Sequence, residues 1–225
     1  MDEEVQALAA RLVRRLKSVN ATITIAESCT GGLLASTLTD ISGASEWFNQ
    51  SWVCYSYDSK VNELDVERNI LETKGAVNAA VAIQMADGAR KRSGADLAIS
   101  ITGIAGPVAL NSNKPVGLVY VGIASAHWAN AESVQMGGTR YENKISFVHF
   151  ALRTAIDCWD SAKVRQEVAI AQKEKAAADA VVELAKSDAA NARRAAEASA
   201  EASWQDEEWR EADGKIGDDS DFESS

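Results

Sequence analysis

Two short apolar runs each break into a glycine-punctuated loop, and this pairing limits the possible folds more than any other feature of the chain. Thr22-Ile23-Thr24-Ile25-Ala26 is β-branched and alternating, and it leads through Glu27 into Ser28-Cys29-Thr30-Gly31-Gly32. Leu97-Ala98-Ile99-Ser100-Ile101 is a buried-type run that breaks at Gly103-Ile104-Ala105-Gly106-Pro107. Such runs have strand length, and Gly/Pro clusters are where strands stop. A third apolar run covers 116–124, a weaker one 132–136, and a β-rich stretch, 51–57, holds Trp52-Val53-Cys54-Tyr55. Helical spacing fills the gaps. Val5, Leu8, Ala9, Leu12, Val13 and Leu16 share one face over 3–18, Val81, Met85 and Ala89 one face over 78–92, and Ile145, Val148, Leu152 and Ile156 one face over 140–157. A small-residue helix runs from Gly32 to about Leu38. Strands alternating with helices predict an α/β fold: a single layered domain with a central, mostly parallel or mixed sheet and flanking helices.

The charge divides the chain. Residues 160–225 hold 17 Asp/Glu against 9 Lys/Arg, which is −8 of the total −10, and all glycines except Gly214 and Gly217 precede them. The expected organisation is therefore a domain over 1–159, a charged Ala-rich helical extension over 160–203, and an acidic, disordered tail over 204–225. The extension's apolar stripe, Val164, Val168, Ala171, Val182 and Ala185, is thin, so a solvated helix is expected rather than a coiled coil. Trp204 and Trp209 form a possible patch for a protein partner. An acidic chain lacks the basic face that nucleic acid needs. No run of about 18 apolar residues occurs, so no membrane-spanning helix is expected. From the acidic start, Met1-Asp2-Glu3-Glu4, no secretory signal is expected. Cys29, Cys54 and Cys158 are too few and scattered for a disulfide framework or a zinc site, and fit a reducing, cytoplasmic setting. His127 and His149 have no ligand cluster around them, so neither a metal nor a Ser-His-Asp triad is expected, and no cofactor.

Three segments combine a sharp turn with polar side chains. In Glu27-Ser28-Cys29-Thr30-Gly31-Gly32 a hydroxyl sits where a strand meets a helix N-terminus, near free N–H groups that favour an oxyanion or a phosphate. A Ser/Thr cap with packing glycines would leave the same string. In Tyr55-Ser56-Tyr57-Asp58-Ser59-Lys60 a lysine follows an apolar strand end, where burial lowers its pKa and makes it a base. A solvated lysine at a helix start is the plainer reading. In Ser100-Ile101-Thr102-Gly103 a buried strand delivers Thr102 to the edge where α/β sheets bind ligands.

Taken together, Glu27-Ser28-Cys29-Thr30-Gly31-Gly32, Ser42-Gly43-Ala44-Ser45, Tyr55, Lys60, Gly75-Ala76-Val77, Thr102-Gly103-Ile104-Ala105-Gly106-Pro107 and Lys114-Pro115-Val116-Gly117 resemble the CinA C-terminal domain, the nicotinamide-nucleotide amidase (nicotinamide mononucleotide deamidase) family. The likeness covers about residues 5–155. The family's N-terminal molybdopterin-binding-like domain has no counterpart in the sequence, so a stand-alone form is expected. The resemblance implies hydrolysis of the carboxamide of nicotinamide mononucleotide by a Ser/Lys dyad without a metal. Ser28 and Ser45 are the two nucleophile candidates, with Ser28 better placed for oxyanion donors. Lys60 would be the base, Tyr55 its orienting or relay group, and Thr102 the holder of the carboxamide. Thr30, Gly31, Gly103 and Gly106 would line the substrate, and Arg140 would meet its phosphate. Cys29 is a minor nucleophile candidate. The partners implied are a small-molecule nucleotide and further copies of the chain. The alternative is a non-catalytic nucleotide-binding or interaction protein that keeps the pocket.

The sequence departs from the family pattern in three places. Asn78 replaces a serine after Gly-Ala-Val but can still cap a helix. Val108-Ala109-Leu110-Asn111-Ser112-Asn113 replaces a Gly-rich loop, and Lys144 replaces an arginine.

Overall fold

The structure, a computed structural model, describes residues 2–109 and 113–213. The part of the expected disordered tail beyond Asp213 falls outside them, as does the centre of the 108–113 loop. The chain divides into two compact units, one ending at Lys163 and the other beginning at Val164.

The first unit holds five strands, β1 (Ile23–Glu27), β2 (Phe48–Val53), β3 (Leu97–Gly103), β4 (Leu118–Ser125) and β5 (Ala129–Gln135). Its helices are α1 (Glu3–Lys17), α2 (Leu33–Thr39), α3 (Tyr57–Leu64), α4 (Arg68–Lys74), α5 (Ala79–Ser93) and the first part of α6 (Arg140–Asp213). The sheet order is β2-β1-β3-β4-β5. β1 runs parallel to both β2 and β3, while β3–β4 and β4–β5 are antiparallel. The sheet is therefore mixed.

Side-chain alternation separates its two faces. Ile23, Ile25, Leu97, Ile99, Ile101, Val119, Val121 and Ile123 point to one side, into a core shared with Leu12 and Leu16 of α1, Leu34 and Leu38 of α2, and Phe147, Val148 and Leu152 of α6. Each fully buried Leu or Ile there contributes about 1.5–3 kcal/mol. The other face carries Ala26, Ala98, Ser100, Gly122 and Ala124, and against it pack Val81, Met85, Ala86 and Ala89 of α5 with Leu64 and Leu71 beyond. Small residues let α5 lie close. Ser100 Oγ donates to Ala82 O at 2.6 Å, across a spot where Gly122 has no side chain. Asn78 caps α5, its Oδ1 accepting from Val81 N–H at 3.0 Å.

Three expectations needed revision. The β-rich stretch ends at Val53, and Tyr57 opens α3, because Ser56 caps that helix by accepting from Ser59 N–H. The short helices α3 and α4 carry too few apolar positions to register as periodic. The last strand begins at Ala129, not at 132. In the second unit the helical conformation continues to Asp213, with Val164, Val168, Ile170, Val181, Val182 and Leu184 exposed. The side chains of Trp204 and Trp209 lie outside the described residues. Among the described residues no helix is long and apolar enough to cross a membrane.

A Cβ at Gly122 would lie 2.2 Å from Ala82 O and 2.6 Å from Ser100 Oγ. Gly122→Ala is expected to force α5 off the sheet and to cost about 1–3 kcal/mol, read as a lowered Tm. Gly137→Ala, with nothing within 4 Å of the added carbon, leaves Tm unchanged in the same measurement.

Candidate active site

Parallel pairing of β1 with β2 and β3 brings the C-terminal ends of three strands to one edge, where Ser28, Cys54 and Gly103 leave the sheet. Ser28 is held there by its own backbone: its N–H donates to Ile101 O at 3.0 Å, and its carbonyl accepts from Gly31 N–H at 3.1 Å. Gly31 and Gly32 turn the chain at φ 66° and 93°, values that L side chains resist.

Lys60 sits on the first turns of α3 with no exposed surface. Its Nζ lies 2.7 Å from Cys54 O, 3.2 Å from Tyr55 O and 3.2 Å from Ser28 Oγ. A neutral amine has two N–H donors and one lone pair. Two carbonyls take the donors, and the lone pair faces the serine hydroxyl. Burial lowers the Lys60 pKa from 10.5 to about 8, against weaker opposition from Cys54 and Cys29. With that value, about a tenth of the amine is neutral at pH 7. Burial pushes the Cys29 thiol up to about 12, so it stays protonated beside Ser28 and is a poor nucleophile. Burial raises the Cys54 thiol as well.

Tyr55 is at the edge, but its part there is played by its main-chain oxygen, while its phenol accepts from Arg140 Nη2 at 2.8 Å. Arg140, the first residue of α6, also donates to Gly106 O at 2.6 Å, so it clamps the Gly103–Pro107 loop to Tyr55. Lys144, one turn on, brings its Nζ to 3.8 Å from where a Cβ of Gly31 would be. Arg140 and Lys144 thus line a cationic side facing the Ser28 turn. Thr30 is fully buried beside it, with a hydroxyl that has no protein partner. Thr102 is buried under the edge, and its hydroxyl donates to Ala76 O at 2.9 Å, tying β3 to the turn before α5. Gly103 is a packing position, since a Cβ would lie 2.8 Å from Leu118 O.

Ser45 is not brought to the site. It lies exposed in a single 3-10 turn, Ala44–Glu46, just before β2. Ile23 pairs with Phe48 and Glu27 with Val53, so the segment before β2 is at the N-terminal end of the strands, and Ser28 is at the other end. The expectation of free helix N–H groups also needs correction. Glu27 takes those of Gly32, Leu34 and Ala35 at 3.1, 3.2 and 2.8 Å, which caps α2. Among the described residues the N–H groups of Cys29 and Thr30, which directly follow Ser28, are bonded to no backbone carbonyl, and they are the donors nearest to it in the chain. Sequence reading gave no role to Glu27 or Asn143. Asn143 is buried and donates to Ala105 O and Gly138 O, which fixes the glycine loop against α6. Its signal was a polar residue on the inward face of the helix, four positions before Phe147. Among the described residues no group of three His, Cys, Asp or Glu is placed to hold a metal.

A buried lysine thus lies against a serine at the C-terminal edge of an α/β sheet. The comparisons with known proteins agree on one family. The model of the CinA C-terminal domain matches residues 5–159, and the chain belongs to that family. It is 48% identical over 147 residues to a CinA-like protein of Chlorobium limicola, which covers 63% of this chain and 34% of that protein. A CinA-like protein of Syntrophomonas wolfei is 46% identical over 142 residues, covering 63% of this chain and 33% of the relative. The chain thus spans about a third of the length of the curated relatives it matches. The crystal structure of the competence/damage inducible protein CihA from Agrobacterium tumefaciens superposes with a TM-score of 0.66 at 36% identity, covering 68% of this chain and 94% of that one. A CinA superfamily protein from Klebsiella pneumoniae gives 0.68 at 28% identity, covering 70% and 98%.

Lys60 has a folded-state pKa below its ordinary 10.5, so between about 8 and 10.5 the unfolded chain binds more protons than the folded one. Folding stability is therefore expected to rise with pH across that window through Lys60. The stability difference between parent and Lys60→Ala, measured by chemical denaturation, should grow in favour of the parent from pH 8 to pH 10. A difference independent of pH would mean that Lys60 is not titrating in that window.

Proposed function

We propose that this chain is an amidohydrolase that converts the carboxamide of nicotinamide mononucleotide to the acid and releases ammonia. The observation that carries the reading is the contact of Lys60 Nζ with Ser28 Oγ at 3.2 Å, with both remaining amine positions occupied by carbonyls. That arrangement supports a lysine acting as general base toward the serine.

In this reading Ser28 Oγ attacks the carboxamide carbon while its proton passes to Lys60. The oxyanion that develops meets the N–H groups of Cys29 and Thr30. Lys60, now an ammonium, still has three acceptors around its three protons, so the cage suits both protonation states. It returns a proton to the departing nitrogen, which leaves as ammonia, and an acyl-enzyme remains on Ser28. Water, deprotonated by Lys60, then releases the carboxylic acid and restores the hydroxyl. Arg140 and Lys144 supply the positive side that an anionic phosphate needs, and Arg140 offers the planar fork that pairs with it. The nucleotide substrate rests on this cationic side together with the family membership.

Purified protein incubated with nicotinamide mononucleotide should release ammonia, with a rate that rises with pH toward about 8 as Lys60 loses its proton. Ser28→Ala should abolish turnover, and Lys60→Ala should lower kcat by about 10²–10⁴ with the fold intact. Ser45→Ala should change the rate little, and a chelator should not change it. Normal turnover by Ser28→Ala, or loss of turnover in Ser45→Ala, would sink the assignment.

A further inference from the structure

Glu27 takes no part in the steps above, yet it is a carboxylate with no exposed surface, and it immediately precedes the nucleophile. Its Oε1 accepts from Ala35 N–H, and its Oε2 from Gly32 and Leu34 N–H. Its main-chain carbonyl accepts from Cys54 N–H at 2.8 Å, and the carbonyl of Cys54 in turn receives Lys60 Nζ. The segment Ser28–Gly31 is therefore a loop with both ends tied to one residue: it leaves from the Glu27 backbone and returns to the Glu27 side chain. It contains Gly31 and runs into Gly32, both at positive φ, where glycine has several backbone conformations of similar energy. A tie from outside the turn selects one of them. Among neutral and charged side chains of this length, only a carboxylate presents acceptors at both terminal atoms, as three converging N–H donors demand.

We propose that Glu27 is the positioning residue of the nucleophile turn: by holding Gly32, Leu34 and Ala35 it sets Ser28 Oγ against Lys60 Nζ. This deepens the reading above and rests on Ser28 being a serine activated by Lys60. Glu27→Gln turns one oxygen into an NH₂ group that faces backbone donors, so at least one tie breaks and the turn relaxes. Glu27→Asp keeps both acceptors but falls one methylene short of α2. Both are expected to move Ser28 out of line with the amine.

The test uses phenylmethylsulfonyl fluoride, which needs no amide substrate. The Ser28 oxygen attacks sulfur, fluoride leaves, and the hydroxyl proton passes to Lys60. Labelling at Ser28 is followed by mass spectrometry in the parent, Lys60→Ala, each Glu27 variant, and the corresponding double variants, with Tm measured for each. In the parent, Lys60→Ala should slow labelling by about 10²-fold or more. Each Glu27 variant should slow it by about 10²-fold. Adding Lys60→Ala to a Glu27 variant should then cost less than about tenfold, because the base is already out of line. If Lys60→Ala costs the same factor in both backgrounds, Glu27 serves stability alone and the proposal fails. It fails too if neither Glu27 variant folds, or if the parent does not label at Ser28. Labelling with the expected pattern but no ammonia from nicotinamide mononucleotide would overturn the substrate reading and leave the proposal standing.

Discussion

A lysine held by two backbone carbonyls, with no carboxylate against it, governs the chemistry open to this chain. Lys60 and Glu27 are both fully buried near the same sheet edge, and among the described residues they form no ion pair with each other. Each is compensated by the backbone instead: the amine by the carbonyls of Cys54 and Tyr55, the carboxylate by the N–H groups of Gly32, Leu34 and Ala35. A direct pair would stabilise the ammonium and hold the Lys60 pKa up. Peptide dipoles are weaker partners than a full counter-charge, so burial prevails and the amine titrates near the physiological range. The same division occupies the N-terminus of α2 with the Glu27 carboxylate.

The sheet makes this possible through connection and direction. β1 lies between two parallel neighbours, so its exit and those of β2 and β3 meet at one edge. The chain leaving β1 goes to α2, which packs on the α1/α6 face, while the chain leaving β2 goes to α3 on the opposite face. Loops that part in this way open a crevice at the strand ends, the usual ligand position in α/β sheets. The small residues of the α5 face hold the sheet and helix close enough for Ser100 and Thr102 to bond across the layers.

Much of this was legible in the sequence. The alternation of Ile23, Ile25 and of Leu97, Ile99, Ile101 marked the strands, and the three-to-four spacing of Val5, Leu12, Val13 and Leu16 marked α1. The Ser28 turn and Lys60 were also visible as candidates. Which of Ser28 and Ser45 lies against Lys60 was not, because it depends on which strands pair and in which direction, and pairing is non-local. The same holds for Thr102: a buried hydroxyl on a strand can face a ligand or a neighbouring carbonyl, and only the position of Ala76 decides. The role of Glu27 was not legible because its cap reaches N–H groups five to eight residues ahead. The local capping pattern has a three-residue reach, and a carboxylate on a strand carries no such signature.

The cage around Lys60 is made of main-chain oxygens, and every residue has one. The side chains at positions 54 and 55 can therefore drift over generations without disturbing how the amine is held, provided the replacement still tolerates its surroundings. The number of residues between β2 and α3 has no such freedom. Removing or inserting a single residue there would turn a different carbonyl toward the amine and rotate the helix that carries it by about 100°. What descent must preserve at this point of the chain is a length, and relatives that share the chemistry should agree on that spacing even where their residues differ.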